Sequence, residues 1–217
     1  MVPAHHYPTP AEKYADLVVH VAGLTLALVG GGILLGLAVR LGSLGEIAAV
    51  SIYSLGMVAM LAFSTAYNFA APSVQPLLRR FDHAGIFLMI AGSYTPFTTQ
   101  NLTGTWSLAM TTAVWGLAGL GIVGKLFLPG LGRQFWVGLY IALGWLVLVA
   151  IKPMVAGLPW VALLLLGLGG AIYTTGTVFY LIKPLKFRRA IWHGHVIGGA
   201  ALQYVAVLIG VVLARPG

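Results

Sequence analysis

Residues 17–39 read LVVHVAGLTLALVGGGILLGLAV and contain no Asp, Glu, Lys or Arg. A helix needs roughly 20 apolar residues to cross the hydrocarbon core of a bilayer, and this run is long enough. Six further apolar runs follow along the chain. The seven runs lie at 17–39, 47–70, 82–100, 105–124, 135–151, 160–182 and 190–214. They are continuous, whereas the strands of a membrane β-barrel alternate in polarity. We therefore predict that residues 1–217 form one all-α membrane domain, a bundle of seven transmembrane helices.

The composition supports a membrane protein. Hydrophobic residues make up 59% of the chain and charged residues only 7%, against about 25% charged residues in soluble domains. The chain has no cysteine, which excludes disulfides, thiolate metal sites and a cysteine nucleophile. The net charge of +8 does not indicate a nucleic-acid partner, because the basic residues lie between the apolar runs, as expected for membrane proteins.

The distribution of Lys and Arg predicts the orientation of the bundle. Nine lie on the N-terminal side: Lys13, Arg79, Arg80, Lys125, Arg133, Lys183, Lys186, Arg188 and Arg189. Three lie on the opposite side: Arg40, Lys152 and Arg215. Because cytoplasmic loops carry the excess of positive charge, we predict a cytoplasmic N-terminus and, with seven spans, a C-terminus outside the cell.

Polar residues are concentrated at the cytoplasmic ends of four predicted spans. They are His20, Ser64, Asn68, Asp82, His83, Arg189, His193 and His195. Ionisable groups inside a membrane are costly and usually functional. An isolated His, Ser or Asn can instead form a hydrogen bond between helices, and this is the simpler interpretation of His20 and His195. The convergence at one membrane face predicts a polar pocket that opens toward the cytoplasm.

Helical spacing narrows the set of pocket residues. Ser64 and Asn68 are four residues apart and share a helix face, as do Arg189 and His193. His193 and His195 are two apart and point in different directions. We predict a cluster of Ser64, Asn68, Asp82, Arg189 and His193, with His20 and His83 nearby. His5 and His6 are interpreted as a solvated tail.

These residues lie in motifs that resemble the hemolysin III group of the progestin and adipoQ receptor family. The most specific motif runs from Asp82-His83-Ala84-Gly85-Ile86-Phe87 to Ala91-Gly92-Ser93-Tyr94-Thr95-Pro96-Phe97. The other matching stretches are Glu12 to His20 with Gly23, Ser64-Thr65-Ala66-Tyr67-Asn68 and Ile191-Trp192-His193. The resemblance covers essentially all seven runs.

The resemblance implies seven helices, a cytoplasmic N-terminus and a zinc ion near the cytoplasmic face. In this family one histidine at the end of span two and two at the start of span seven hold the metal. A serine and an aspartate, which correspond to Ser64 and Asp82, stand beside it as catalytic residues. The resemblance further implies hydrolysis of a lipid amide such as a ceramide, with zinc activating water.

The ligand positions of this sequence depart from the family pattern. The span-two position is Asn68, the first span-seven position is Arg189, and only His193 is retained as a metal ligand. Asparagine is a poor zinc donor and arginine is permanently charged, so we predict that the zinc is lost and that the chain holds no cofactor. We further predict that Arg189 replaces the cation and pairs with Asp82. The alternative to this pair is that Arg189 snorkels inward and Asp82 titrates alone. The alternative is a rearranged zinc site completed by His20, His83 or His195.

Three functions follow from this interpretation. The first is a hemolysin III-like membrane protein whose partners are membrane lipids and a lipid-like small molecule, without a zinc-hydrolase centre. The second is a zinc-dependent lipid amide hydrolase with a rearranged metal site. The third is a membrane-perturbing protein, a pore or a receptor. A pore is disfavoured because few ionisable groups lie at the middle of the predicted spans.

Overall fold

The computed structural model describes residues 6–128 and 130–214, and its regular elements in this range are all helices. His5 and Arg215 lie outside the described residues. The helices are α1 (Pro10–Leu41), α2 (Leu44–Phe69), α3 (Gln75–Gln100), α4 (Gly104–Phe127), α5 (Arg133–Gly144), α6 (Ile151–Gly157), α7 (Trp160–Leu181) and α8 (Arg188–Val207). A 3-10 turn at Leu146–Ala150 joins α5 to α6, and a π-helical turn at Leu208–Val212 extends α8.

Six helical segments are long and apolar enough to cross a membrane. They are α1, α2, α4, the interrupted segment Arg133–Gly157, α7, and α8 with its π-helical turn. The described part of the chain is therefore an all-helical membrane bundle. Helix α3 has 26 residues but is more polar than the others, because it contains Arg79, Arg80, Asp82 and several Ser and Thr residues.

Helix α1 begins earlier than the apolar run that predicted it. The Thr9 hydroxyl accepts a hydrogen bond from the Glu12 N–H at 3.2 Å, and Pro10 occupies the first turn. This is a capped helix start in which proline loses no hydrogen bond. Asp16 and His20 consequently lie four residues apart on one face of α1, and both are buried.

The helices form a closed bundle because α1 packs against both α2 and α8. Within the bundle, α2 packs on α3, α3 on α4, and α7 on α8. The outward faces are apolar: Leu26, Val29 and Leu120 are each more than half exposed. Such surfaces suit lipid, and a water-soluble protein would bury them.

The Ala91–Phe97 motif in α3 stabilises the break between α5 and α6. The Tyr94 hydroxyl accepts from the Val147 N–H at 2.8 Å and lies 2.8 Å from the Gly144 carbonyl oxygen. The Val147 N–H and the Gly144 carbonyl oxygen lose their α-helical hydrogen-bond partners at the 3-10 turn. An unpaired backbone group in a membrane is costly. Tyr94 of this motif thus has a structural role.

Helices α2 and α3 approach closely where two glycines face each other. A Cβ atom on Gly92 would lie 3.3 Å from the Ile52 carbonyl oxygen and 3.8 Å from the Gly56 Cα. Small residues allow membrane helices to pack this tightly. The close approach brings Ser64, toward the end of α2, to the same end of the bundle as Asp82, near the start of α3.

Gly121 of α4 provides a test of the packing between α3 and α4. A Cβ atom there would lie 2.5 Å from the buried Phe87 ring, whereas nothing lies within 4 Å of a Cβ atom on Gly119. We expect Gly121→Ala to lower the free energy of unfolding by about 1–3 kcal/mol through overpacking. Gly119→Ala on the same helix is the matched control. Thermal unfolding in detergent checks both, and equal midpoints for the two variants would contradict this packing.

Candidate functional site

A cavity of about 510 Å³ opens inside the bundle. All seven predicted pocket residues line it: His20, Ser64, Asn68, Asp82, His83, Arg189 and His193. They come from α1, α2, α3 and α8, at the end of the bundle where α1, α3 and α8 begin and α2 ends. We call this end the polar end of the cavity.

Asp16 joins α1 to α8 at the polar end. Its Oδ1 lies 2.6 Å from Nδ1 of His193, and its side chain is fully buried. His20 Nδ1 lies 2.8 Å from the Asp16 carbonyl oxygen and 3.6 Å from Asp16 Oδ1. A buried carboxylate requires close partners, and the two histidines supply them.

Ser64 is surrounded by hydrogen-bonding groups. Its Oγ lies 3.3 Å from Nε2 of His20 and 3.4 Å from Nε2 of His193. The Asn68 amide donates to the Ser64 carbonyl oxygen at 2.9 Å and lies 3.4 Å from Oγ. Asp82 also interacts with the Ser64 side chain. One hydroxyl therefore stands between two imidazoles, an amide and a carboxylate.

Arg189 contacts Asn68 and His6 at the polar end. Its Nη1 donates to Asn68 Oδ1 at 3.1 Å, and its Nη2 lies 3.4 Å from His6 Nδ1. His6 Nε2 lies 3.0 Å from the same Asn68 oxygen. The set is consistent with a neutral His6, in which Nε2–H donates to Asn68 and Nδ1 accepts from Arg189.

Tyr7 completes the N-terminal contact. Its hydroxyl donates to Asp16 Oδ2, and its ring stacks on Phe69 with centroids 6.0 Å apart. The Arg189 guanidinium lies 5.4 Å from the ring centre, a cation–π distance. Burial and the hydrogen bond to Asp16 raise the pKa of Tyr7, so its hydroxyl remains a donor.

Two expectations about these residues were wrong. Among the described residues, Asp82 Oδ2 lies 4.0 Å from His83 Nε2, and Arg189 binds Asn68 and His6 instead of Asp82. His6 is not a solvated tail, because it is half-buried between Asn68 and Arg189.

The remaining histidines occupy separate environments. His195 Nδ1 lies 2.7 Å from the Ile191 carbonyl oxygen, and its ring packs on Phe179. His193, two residues earlier, contacts Asp16 instead. His83 lines the cavity, but its carbonyl oxygen, rather than its ring, accepts from the Tyr140 hydroxyl at 3.0 Å.

Asp16, His20 and His193 form a group that could hold a metal ion. One potential ligand atom from each lies within 4.8 Å of the others. Asp16 was not among the predicted pocket residues, because it lies one residue ahead of the first apolar run. Its spacing of four from His20 on a capped helix is the signal that identifies it.

The fold and the site together define an all-helical multi-pass membrane protein with a buried polar cluster between its first and last helices. Comparison with known proteins identifies its family. The model for haemolysin-III related proteins matches residues 12–204, and the chain belongs to this family. It is therefore a multi-pass protein of the bacterial inner membrane.

Individual relatives agree with this assignment. The chain is 34% identical over 201 residues to the "Hemolysin-3 homolog" of Bacillus subtilis (strain 168), covering 92% of this chain and 94% of the relative. It is 35% identical over 202 residues to "Hemolysin-3" of Bacillus cereus, covering 93% and 92%. The human "Monocyte to macrophage differentiation factor" is 25% identical over 209 residues, covering 92% and 84%. The resemblance to the hemolysin III group of the progestin and adipoQ receptor family is confirmed.

The contact of His6 with the polar end should depend on pH. Burial lowers the pKa of His6 below its ordinary value of 6.5. The hydrogen bond to Asn68 raises this pKa, and the positive charge of Arg189 lowers it further. Asp16 raises the pKa and His193 lowers it, both to a smaller extent. Folding favours the neutral form of His6. Neutral His6 therefore stabilises the folded protein fully above pH 6.5, and this stabilisation is lost as the pH falls through the lowered pKa of His6.

The unfolding midpoints of the wild type and His6→Ala test this between about pH 5 and pH 8, the range in which histidine titrates. We expect the wild type to be more stable than His6→Ala above pH 6.5. The difference between the two unfolding midpoints should decrease as the pH is lowered. A difference that grows on acidification would contradict the neutral His6 contact.

Proposed function

We propose that this protein binds one lipid-like amphiphile in the cavity, with the ligand's polar group at the polar end and its hydrocarbon chain in the interior. The observation that carries the proposal is the continuity of one cavity from buried polar side chains to apolar ones. Its volume of about 510 Å³ lies in the range of small-molecule sites, about 300–1,000 Å³.

The two parts of the cavity differ in chemistry. The polar end has the cluster described above together with basic side chains, namely Arg79, Arg80, Arg188 and Arg189. The deeper walls include Met60, Met89, Val196 and Ile197. Arginine groups bind carboxylate or phosphate oxygens, and the apolar walls suit an acyl chain. A single-chain anionic amphiphile satisfies both.

We further propose that the zinc centre implied by the family is lost. The ligand positions Asn68 and Arg189 bind each other at 3.1 Å, so a guanidinium occupies the place of the cation. The residues at these positions do not fit a zinc ion, since arginine has no lone pair to donate. Arg189 thus retains the positive charge of the site without providing a metal ligand.

A second candidate function is a hydrolase with a rearranged metal site at Asp16, His20 and His193. The proximity of their ligand atoms, within 4.8 Å, favours it. Three protein ligands are the usual number at a catalytic zinc, and a metal there would activate water. In the structure, however, His193 Nδ1 and Asp16 Oδ1 are already hydrogen-bonded to each other.

The topology that accompanies this proposal has seven spans, with α3 as the most polar one. The polarity of α3 has a local explanation. Asp82 and His83 line the cavity, and the Tyr94 hydroxyl binds the Val147 N–H at the break between α5 and α6. The excess of Lys and Arg lies at the polar end, which supports a cytoplasmic location for that end and an external C-terminus. The ligand's polar group would then face the cytoplasm.

Filling the cavity tests the binding function. Val196 is buried and lines the cavity, whereas Val205 of the same helix is 39% exposed on the outer face. We expect Val196→Phe to weaken binding of a dansyl-labelled fatty acid by about tenfold, equivalent to about 1.4 kcal/mol. Val205→Phe should bind like the wild type. Fluorescence titration in detergent measures both.

Equal affinity of the two variants would contradict binding inside the cavity, and absence of binding by the wild type would contradict this ligand class. Unfolding midpoints of both variants verify that they are folded.

A further inference from the structure

The acceptors around Ser64 outnumber its single proton. His193 Nδ1 lies 2.6 Å from the Asp16 carboxylate and His20 Nδ1 lies 2.8 Å from a carbonyl oxygen. Both Nδ1 atoms therefore carry a hydrogen. In the neutral form of each ring, Nε2 is then a lone-pair acceptor, and both Nε2 atoms point at Ser64 Oγ. The hydroxyl can donate to one of them at a time.

Three of these residues are connected in a fixed order. Asp16 Oδ1 lies 2.6 Å from His193 Nδ1, and His193 Nε2 lies 3.4 Å from Ser64 Oγ. The carboxylate fixes the imidazole tautomer so that Nε2 faces the hydroxyl. A nucleophile next to a base that is oriented by a third group is the arrangement that activates serine in hydrolases of unrelated folds.

We propose that Ser64 is a nucleophile activated by His193 and Asp16, and that the protein hydrolyses carboxylic esters of a single acyl chain without a metal. This inference rests on the proposed ligand cavity, which would position the acyl chain, and it assigns a chemical step to the polar end. Ser64 and His193 both line the cavity, so they are within reach of a bound ligand.

The reaction balances with water as the only co-reactant. Ser64 Oγ attacks the ester carbonyl carbon while its proton passes to His193 Nε2. The C–O bond to the alcohol breaks, and the alcohol leaves with that proton. Water then attacks the carbonyl carbon of the acyl-serine and gives a proton to His193 Nε2, and the bond from this carbon to Ser64 Oγ breaks to release the carboxylic acid. The proton returns to Ser64 Oγ.

Neighbouring residues support these steps. Asn68 Nδ2 is the amide donor nearest to Ser64 Oγ, at 3.4 Å, and the Arg189 bond to its oxygen fixes its orientation. It can therefore donate to the developing oxyanion, which is a large contribution in acyl transfer. The Tyr7 hydroxyl holds the other Asp16 oxygen. An ester is the favoured substrate class because the carbonyl carbon of an ester is more electrophilic than that of an amide.

The absence of cysteine from the sequence permits a direct test on Ser64. Ser64→Cys introduces one thiol, and a histidine base should raise its thiolate fraction. The matched control is Ser93→Cys, because Ser93 is also buried and lines the same cavity, but its Oγ donates to the Ile90 carbonyl oxygen and not to a histidine. We expect iodoacetamide to alkylate the Ser64→Cys variant about tenfold or more faster than the Ser93→Cys variant at neutral pH.

A second substitution in the Ser64→Cys variant tests whether His193, oriented by Asp16, is the base. His193→Gln or Asp16→Asn in the Ser64→Cys background should bring the alkylation rate close to that of the Ser93→Cys variant. In the cysteine-free wild type, an alkyl fluorophosphonate should modify Ser64 in the presence of EDTA, as detected by mass spectrometry of the labelled peptide. Ser64→Ala should abolish the labelling and Ser93→Ala should not.

Equal alkylation rates for the two thiols would overturn the inference. So would rates that neither second change alters, or labelling that EDTA abolishes, which would favour the metal candidate. Binding of the dansyl fatty acid by the same preparations separates the two proposals. Binding without labelling would refute the nucleophile and leave the ligand cavity intact.

Discussion

The contact between the Asp16 carboxylate and the His193 imidazole, at 2.6 Å, closes the bundle by joining its first helix to its last. Asp16 has no exposed surface, so its charge depends entirely on neighbouring groups. Leaving a buried polar group without its hydrogen-bond partner costs about 1–3 kcal/mol, and more when the group is charged. The position of His193, and with it the orientation of Nε2 toward Ser64, follows from this contact.

The N-terminal residues stabilise the same end of the bundle. Tyr7 binds the second oxygen of Asp16, and Glu12 Oε1 accepts from the Phe187 N–H at 2.9 Å, at the start of α8. An acidic side chain there interacts favourably with the positive end of the helix. His6 and Arg189 together cover Asn68. The polar end is thus a hydrogen-bonded network in which Arg189 is a donor and Asn68 an acceptor.

Much of the fold was predictable, because apolar runs are sufficient to predict membrane helices and the Asp82–Phe97 motif indicated the family. The pocket residues were also predictable, since polar groups in apolar runs are few and their helical spacing assigns them to one end. Asp16 was missed because hydropathy placed it before the first span, although Thr9 and Glu12 have the spacing of a capping box that starts a helix earlier.

The partners of the charged residues were not predictable in the same way. Charge alone favoured a pair between Arg189 and Asp82, but the choice of partner depends on how four helices are rotated relative to one another. In the structure Arg189 turns toward Asn68 and His6. His6 lies 62 residues from Asn68 and 183 from Arg189 along the chain, so no local pattern indicates that they meet.

We propose that hydrogen bonds among Asp16, His193, Ser64 and Asn68 hold the polar end without a metal, with Arg189 in place of the cation. The most direct test is the zinc content of protein purified in detergent without chelators, measured by mass spectrometry of the metal. We expect far less than one zinc per chain, with no loss of thermal stability after EDTA treatment. One tightly held zinc per chain, lost together with stability on chelation, would contradict the claim.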